Sequence, residues 1–127
     1  MKIEELFVPY ELALKLKEKG YNEPCLSYYD SRGIQQIGTF DFTTIDGYKE
    51  SVAALAPLYQ QVVDFLREKH DIQINIEWNK FYPNTPYVWS IRPTWRDQLL
   101  QPYGYSGFSS DYYNALTRAI EEALKLI

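Results

Sequence analysis

From residue 72 onward the chain alternates strictly. Ile72, Ile74, Ile76 and Trp78 are apolar, while Gln73, Asn75, Glu77 and Asn79 are polar. A period of two is the signature of a half-buried strand. The connection KFYPNTP leads to a second run, in which Tyr87, Trp89 and Ile91 occupy one face and Val88, Ser90 and Arg92 the other. Pro93 ends that run, since proline cannot donate to a central ladder. An earlier pair has the same form: CLSYYD reads as a strand, Ser31-Arg32-Gly33 as a turn, and IQQIGTF as the return. Residues 41–51 read as a connecting loop.

Three segments carry helical spacing instead. Pro9 suits a first helical position, and Leu12 and Leu16 pair at i, i+4 with Ala13 beside them. Gly20 then offers a left-handed cap at the helix end, with Tyr21 placed to fold back on the last turn. A second helix is expected from about Pro57 to Lys69, with Leu58, Val62, Phe65 and Leu66 on its apolar face. A third is expected from about Asp111 to Leu126, capped by Ser109 or Ser110 and striped by Leu116, Ala119, Ile120, Ala123 and Ile127. The order α-ββ-α-ββ-α, with short turns inside both strand pairs, predicts an α+β fold. Its simplest form is an antiparallel sheet with the helices packed on one face. A length of 127 residues predicts a single domain, 1–127.

Composition narrows the chemistry. Thirteen basic against seventeen acidic residues give a net charge of −4, which counts against broad binding to duplex nucleic acid. One cysteine and one histidine cannot complete a standard zinc ligand set. Acids that a carboxylate-only Mg²⁺ site would need, such as Glu121 and Glu122, read as the solvated face of a helix, and neither a Walker loop nor G-x-G-x-x-G is present, so no metal site and no cofactor are expected. Cys25, inside a predicted strand, reads as a small buried hydrophobe. No stretch approaches the ~20 apolar residues of a membrane span. The N-terminal stretch lacks a basic start followed by an apolar run, so a cytoplasmic protein is expected. GYSGF at 104–108 superficially resembles a nucleophile elbow but has phenylalanine in the fifth place, and reads as loop glycines before a helix. His70 lies at a helix C-terminus, where positive charge is favoured. No catalytic residue is assigned, and the balance leans away from an enzyme.

Three segments carry a family resemblance: VPYELALKLKEKGYNEPCLSYYD, APLYQQVVDFLREKH and GFSSDYYNALTRAIEEALKLI. Together they resemble a family of small uncharacterised proteins encoded in gut bacterial genomes and in their phages and mobile elements. The resemblance covers both ends and the middle helix. It implies an intracellular accessory protein and supplies no site residues. The final hairpin and helix are also similar in layout to double-stranded-RNA-binding domains. Those domains grip phosphates with lysines at the start of the last helix. This chain has Ser110, Asp111, Tyr112 and Tyr113 there, which argues against duplex RNA.

The remaining candidate is the segment WNKFYPNTPYVWSIRPTW with Arg96 directly after it. It holds all three tryptophans and no acid, and with Arg96 counts three cations. Strand alternation assigns Trp78 and Trp89 to the core. Trp95 either plugs the end of that core or belongs to a contact surface. Lys80, Phe81, Tyr82, Arg92, Trp95 and Arg96 are the candidate binding residues, because Trp, Tyr and Arg suit interaction hot spots. The expected partner is a protein, another or a second copy in a homodimer, bound by a non-catalytic interaction module. The alternative is a nucleotide or single-stranded nucleic-acid binder, stacking bases on these rings and meeting phosphates with the arginines.

Overall fold

A strict two-residue alternation running from Ile72 to Trp78 is realised as one unbroken seven-residue strand in the computed structural model, which describes residues 2–38, 52–93 and 106–127. The elements, in order, begin with a short 3-10 turn, Ile3–Leu6, and helix α1, Tyr10–Glu18. Strands β1, Ser27–Tyr29, β2, Gln35–Ile37, and β3, Ala54–Leu55, follow, then helix α2, Tyr59–His70. Strands β4, Ile72–Trp78, β5, Tyr87–Pro93, and β6, Ser106–Ser109, precede helix α3, Tyr112–Leu124. The fold is α+β, and the helices pack on antiparallel sheets. The strands are shared between two three-stranded sheets, ordered β2-β1-β3 and β4-β5-β6. Chain contacts divide into two compact units, Met1–Val62 and Val63–Ile127.

In the first unit, α1 buries Leu12, Ala13 and Leu16, the face its spacing predicts. Its end is a Schellman turn. Gly20 takes φ +86°, its N–H bonds to Lys17 O at 3.1 Å, and Tyr21 N–H reaches back to Leu16 O at 3.0 Å. Tyr21 is thereby folded onto the core and left 2% exposed. The β1–β2 hairpin turns through Asp30, Ser31, Arg32 and Gly33, with Gly33 at φ +77°. Asp30 Oδ1 accepts from the backbone N–H of both Arg32 and Ile34, at 2.9 and 3.1 Å. The Arg32 guanidinium and the Gln36 amide donate to its other oxygen, at 3.2 and 3.3 Å. These donors stabilise the charged form and hold the Asp30 carboxyl below the usual range, the Ile34 N–H contributing most. Tyr29 Oη donates to Val8 O at 2.8 Å, and its ring meets Tyr10 edge-on at 5.2 Å.

In the second unit, β4 and β5 pair along their whole length from Ile72↔Pro93 to Trp78↔Tyr87. Directly paired residues share a face, so Ile72, Ile74, Ile76 and Trp78 lie on the same side as Tyr87, Trp89 and Ile91. Helix α3 covers this side with Ala115, Leu116, Ala119, Ile120, Ala123 and Leu124. The cap of α3 is Asp111, where Ser109 or Ser110 was expected. The extended backbone of Asp111 aims its carboxylate at Asn114 N–H, 2.8 Å away. Ser109 supports the cap from behind, accepting from Asp111 N–H at 3.3 Å and donating to Asn114 Oδ1 at 2.9 Å.

Strands β3 and β6 go beyond the sequence pattern. GYSGF does not read out as loop glycines: Ser106–Ser109 is a strand, paired to β5 from Tyr87↔Ser109 to Ser90↔Ser106. Four residues with two serines and a glycine carry too little alternation to announce a strand. They become one because β5 offers a free edge beside them.

Candidate functional site

The connection between β4 and β5 is built by local polar chemistry. Asn79 Oδ1 accepts from Phe81 N–H at 3.0 Å, and Asn79 O accepts from Tyr82 N–H at 3.2 Å. A second turn follows, with Thr85 N–H donating to Tyr82 O at 3.1 Å. Asparagine and proline make such tight turns at small cost. The consequence is that Phe81 is lifted clear of the sheet, 79% exposed, with the Lys80 ammonium 5.8 Å from its ring centre.

Tyr82 turns the other way and packs on Phe108 of β6, ring centres 5.0 Å apart. Phe108 pairs with Val88 in the β5–β6 ladder and so lies on the sheet face opposite α3. It remains half exposed even beneath Tyr82. On the α3 side of the same sheet end, Tyr87 meets Tyr112 edge-on at 5.9 Å, and Tyr112 meets Tyr113 at 5.2 Å.

Trp78 is not a core residue. It shares the apolar face of Ile72, Ile74 and Ile76, as alternation requires, yet it is 64% exposed. Helix α3 begins at Tyr112, over Tyr87 of the central strand. Trp78 pairs with Tyr87 from the outer strand β4, one strand further from the helix. Alternation decides which face a side chain takes, and the overlying helix decides whether that face is covered. Trp89, two residues inward along β5, is 8% exposed and is a core residue as expected.

Of the candidate binding residues, Lys80, Phe81 and Tyr82 are brought together and are exposed. Arg92 is exposed but stands at the other end of the sheet, paired with Gln73. The four residue steps from Val88 to Arg92 span about 14 Å at ~3.4 Å per step. Trp95 and Arg96 lie outside the described residues. Sequence reasoning missed Phe108, which packs on Tyr82, and Tyr112, which is exposed on the opposite, α3 side of the same sheet end. Their signal is the cross-strand register, which places Phe108 beside Val88 and the Tyr112 helix start beside Tyr87. An acid also enters here: Glu77 pairs with Val88 and so shares the outer face with Phe108.

Elsewhere, Cys25, Tyr21 and His70 are packed against neighbouring side chains. Cys25 is fully buried, its thiol pushed up to about 12 by that burial, against which the Tyr21 hydroxyl 3.8 Å away acts only in part. Burial likewise raises Tyr21, with Cys25 adding to it. His70 packs edge-on against Phe65 at 5.0 Å. Among the described residues no group of three or more His, Cys, Asp or Glu side chains could hold a metal ion, and no helix is long and apolar enough to cross a membrane.

The site is thus an exposed aromatic surface at one end of a small α+β unit. No protein-family model, curated protein or solved structure matches the chain.

Proposed function

We propose that this chain is a non-catalytic protein-interaction module working in the cytoplasm, in the setting of a phage or mobile-element accessory protein that the family resemblance implies. The observation that carries the reading is that five large rings are exposed at one end of the β4-β5-β6 sheet: Tyr82 packed on Phe108 on the face opposite α3, Phe81 in the adjoining turn, and Trp78 and Tyr112 on the α3 side. Scattered apolar side chains on a surface need no explanation, but five large rings at one sheet end do. Aromatic side chains supply much contact area at small entropic cost and are enriched where proteins meet.

A nucleic-acid role has weaker support from the same surface. Stacking rings are present, but Lys80 is the one cation of the described residues beside them, Glu77 shares the outer face, and Arg92 is a strand length away. Single-strand binding needs a positive track alongside its stacking platforms.

A photo-crosslinking amino acid in place of Phe81, used in the host cell, tests the reading. The expected product is a discrete protein adduct that disappears when Tyr82 and Phe108 are both replaced by alanine. Adducts to nucleic acid, or protein adducts unchanged by those replacements, would overturn it.

A further inference from the structure

The outer strand of the second sheet carries an open edge beside the aromatic surface. The β4-β5-β6 order leaves β4 outermost, and among the described residues no strand pairs with its far side. The phase of the ladder identifies which backbone groups point there. Asn79 N–H donates to Pro86 O at 2.6 Å, continuing the Trp78↔Tyr87 register by one step. In an antiparallel pair, bonded and non-bonded positions alternate. Gln73, Asn75 and Glu77 therefore bond to β5, and Ile74, Ile76 and Trp78 turn their N–H and C=O groups outward. The side-chain amide of Gln73 donates to Ile74 O at 3.0 Å, as an outward carbonyl requires. Among the described residues no hydrogen bond reaches the outward backbone groups of Ile76 and Trp78. Edge strands are ordinarily blunted by charged side chains, lysine above all, by proline or by a bulge, and Ile74-Asn75-Ile76-Glu77-Trp78 has only Glu77. Exposure rises along it, from buried Ile74 through half-buried Asn75 and Ile76 to exposed Glu77 and Trp78.

We infer that a second copy of this chain pairs with this edge, β4 against β4 in antiparallel register about a two-fold axis at Ile76. The inference rests on the interaction reading above and names its partner. The register follows from the side chains. Centred on Ile76, each Asn75 amide faces the partner's Glu77 carboxylate, and Ile74 lies beside the partner's Trp78 on the apolar face. Centred on Glu77, two carboxylates would oppose one another. Centred on Asn75, pairing would reach in to Ile72, which is 0% exposed; centred on Ile76 it reaches only to Ile74, 6% exposed, whose carbonyl exchanges the Gln73 amide for the partner's backbone. In the chosen register the six strands of two copies form one continuous sheet, and Trp78 gains the cover that α3 does not provide. A strand pair of this length is a small contact, so the dimer is weak and depends on concentration.

The experiment is sedimentation equilibrium of the purified chain over a wide concentration range, with Asn75→Glu and Asn75→Lys. Both replacements fall on the half-buried outer face, and circular dichroism checks that each variant folds. Asn75→Glu sets a carboxylate against the partner's Glu77 twice by symmetry, and dimerisation should weaken about tenfold. Asn75→Lys should preserve or strengthen it, and Glu77→Lys should restore the Asn75→Glu variant. A monomer at all concentrations up to about a millimolar, or equal effects of the two Asn75 variants, would overturn the inference. If the Phe81 crosslinker meanwhile captures a different protein, the interaction reading stands and only the second copy falls. Absence of both results removes both.

Discussion

Gly107 lies directly opposite Trp89 across the β5–β6 ladder, and a Cβ at 107 would fall 2.6 Å from three atoms of the indole ring. The ring lies flat on the glycine, and this close approach lets a large side chain fit between the sheet and α3. Gly107→Ala should therefore cost about 1–3 kcal/mol by overpacking, measured by denaturant unfolding. In a Trp89→Leu background the same replacement should cost much less. Additive losses would show that the two residues do not share a site.

Trp78 and Trp89 occupy the same sheet face but differ in cover, and the two should separate cleanly in stability. Trp89→Ala should lose ~3–5 kcal/mol, as for a truncated core aromatic. Trp78→Ala should stay within about 1 kcal/mol of the parent, as a surface replacement. Equal losses in urea titrations would contradict the exposed position of Trp78.

Cys25 should be inert in the folded chain. Its thiol is buried and pushed up to about 12, and the thiolate is the reactive species. Labelling by an aromatic disulfide reagent at neutral pH should proceed only as fast as the chain opens, and accelerate in urea in step with unfolding. Fast labelling of the native chain would show that Cys25, just ahead of β1, is not buried as described.

Asp30 should make the β1–β2 hairpin acid-sensitive. Its folded-state carboxyl is held below the usual carboxylate range, chiefly by the Ile34 N–H. A depressed acid contributes stability that is fully present above the unfolded value and lost as pH falls through the folded one. Asp30→Asn should thus lower the melting temperature near neutral pH, and the gap to the parent should narrow below about pH 4. A constant gap across that range would rule out the carboxylate as its source.

Much of the fold was legible because it is written in local periodicity. The cap at Gly20, the apolar face of α1, that of α2 apart from Leu58, which bridges Phe7 ahead of the helix, the stripe on α3 apart from Ile127 beyond its end, and the β4–β5 pair follow from side chains a few residues apart. Lys80, Phe81 and Tyr82 were also legible, as aromatic and cationic residues in a turn. Phe108 was not, because its four-residue strand is defined by its neighbour and not by its own pattern. Arg92 was assigned to the site by its closeness in sequence, and strand geometry carried it to the opposite end.

By itself, then, the sequence determined the α+β class, the order of the main elements and the face on which each side chain lies. These depend on backbone dihedrals and the spacing of apolar residues, which act over one or two turns of chain. Only tertiary structure decided which parts of each face are covered. Trp89 is buried because α3 lies over it and Gly107 makes room beneath it. Trp78 is exposed because it stands one strand outside the start of that helix. Burial depends on what arrives from elsewhere in the chain, and the surface left without cover is where a partner is expected.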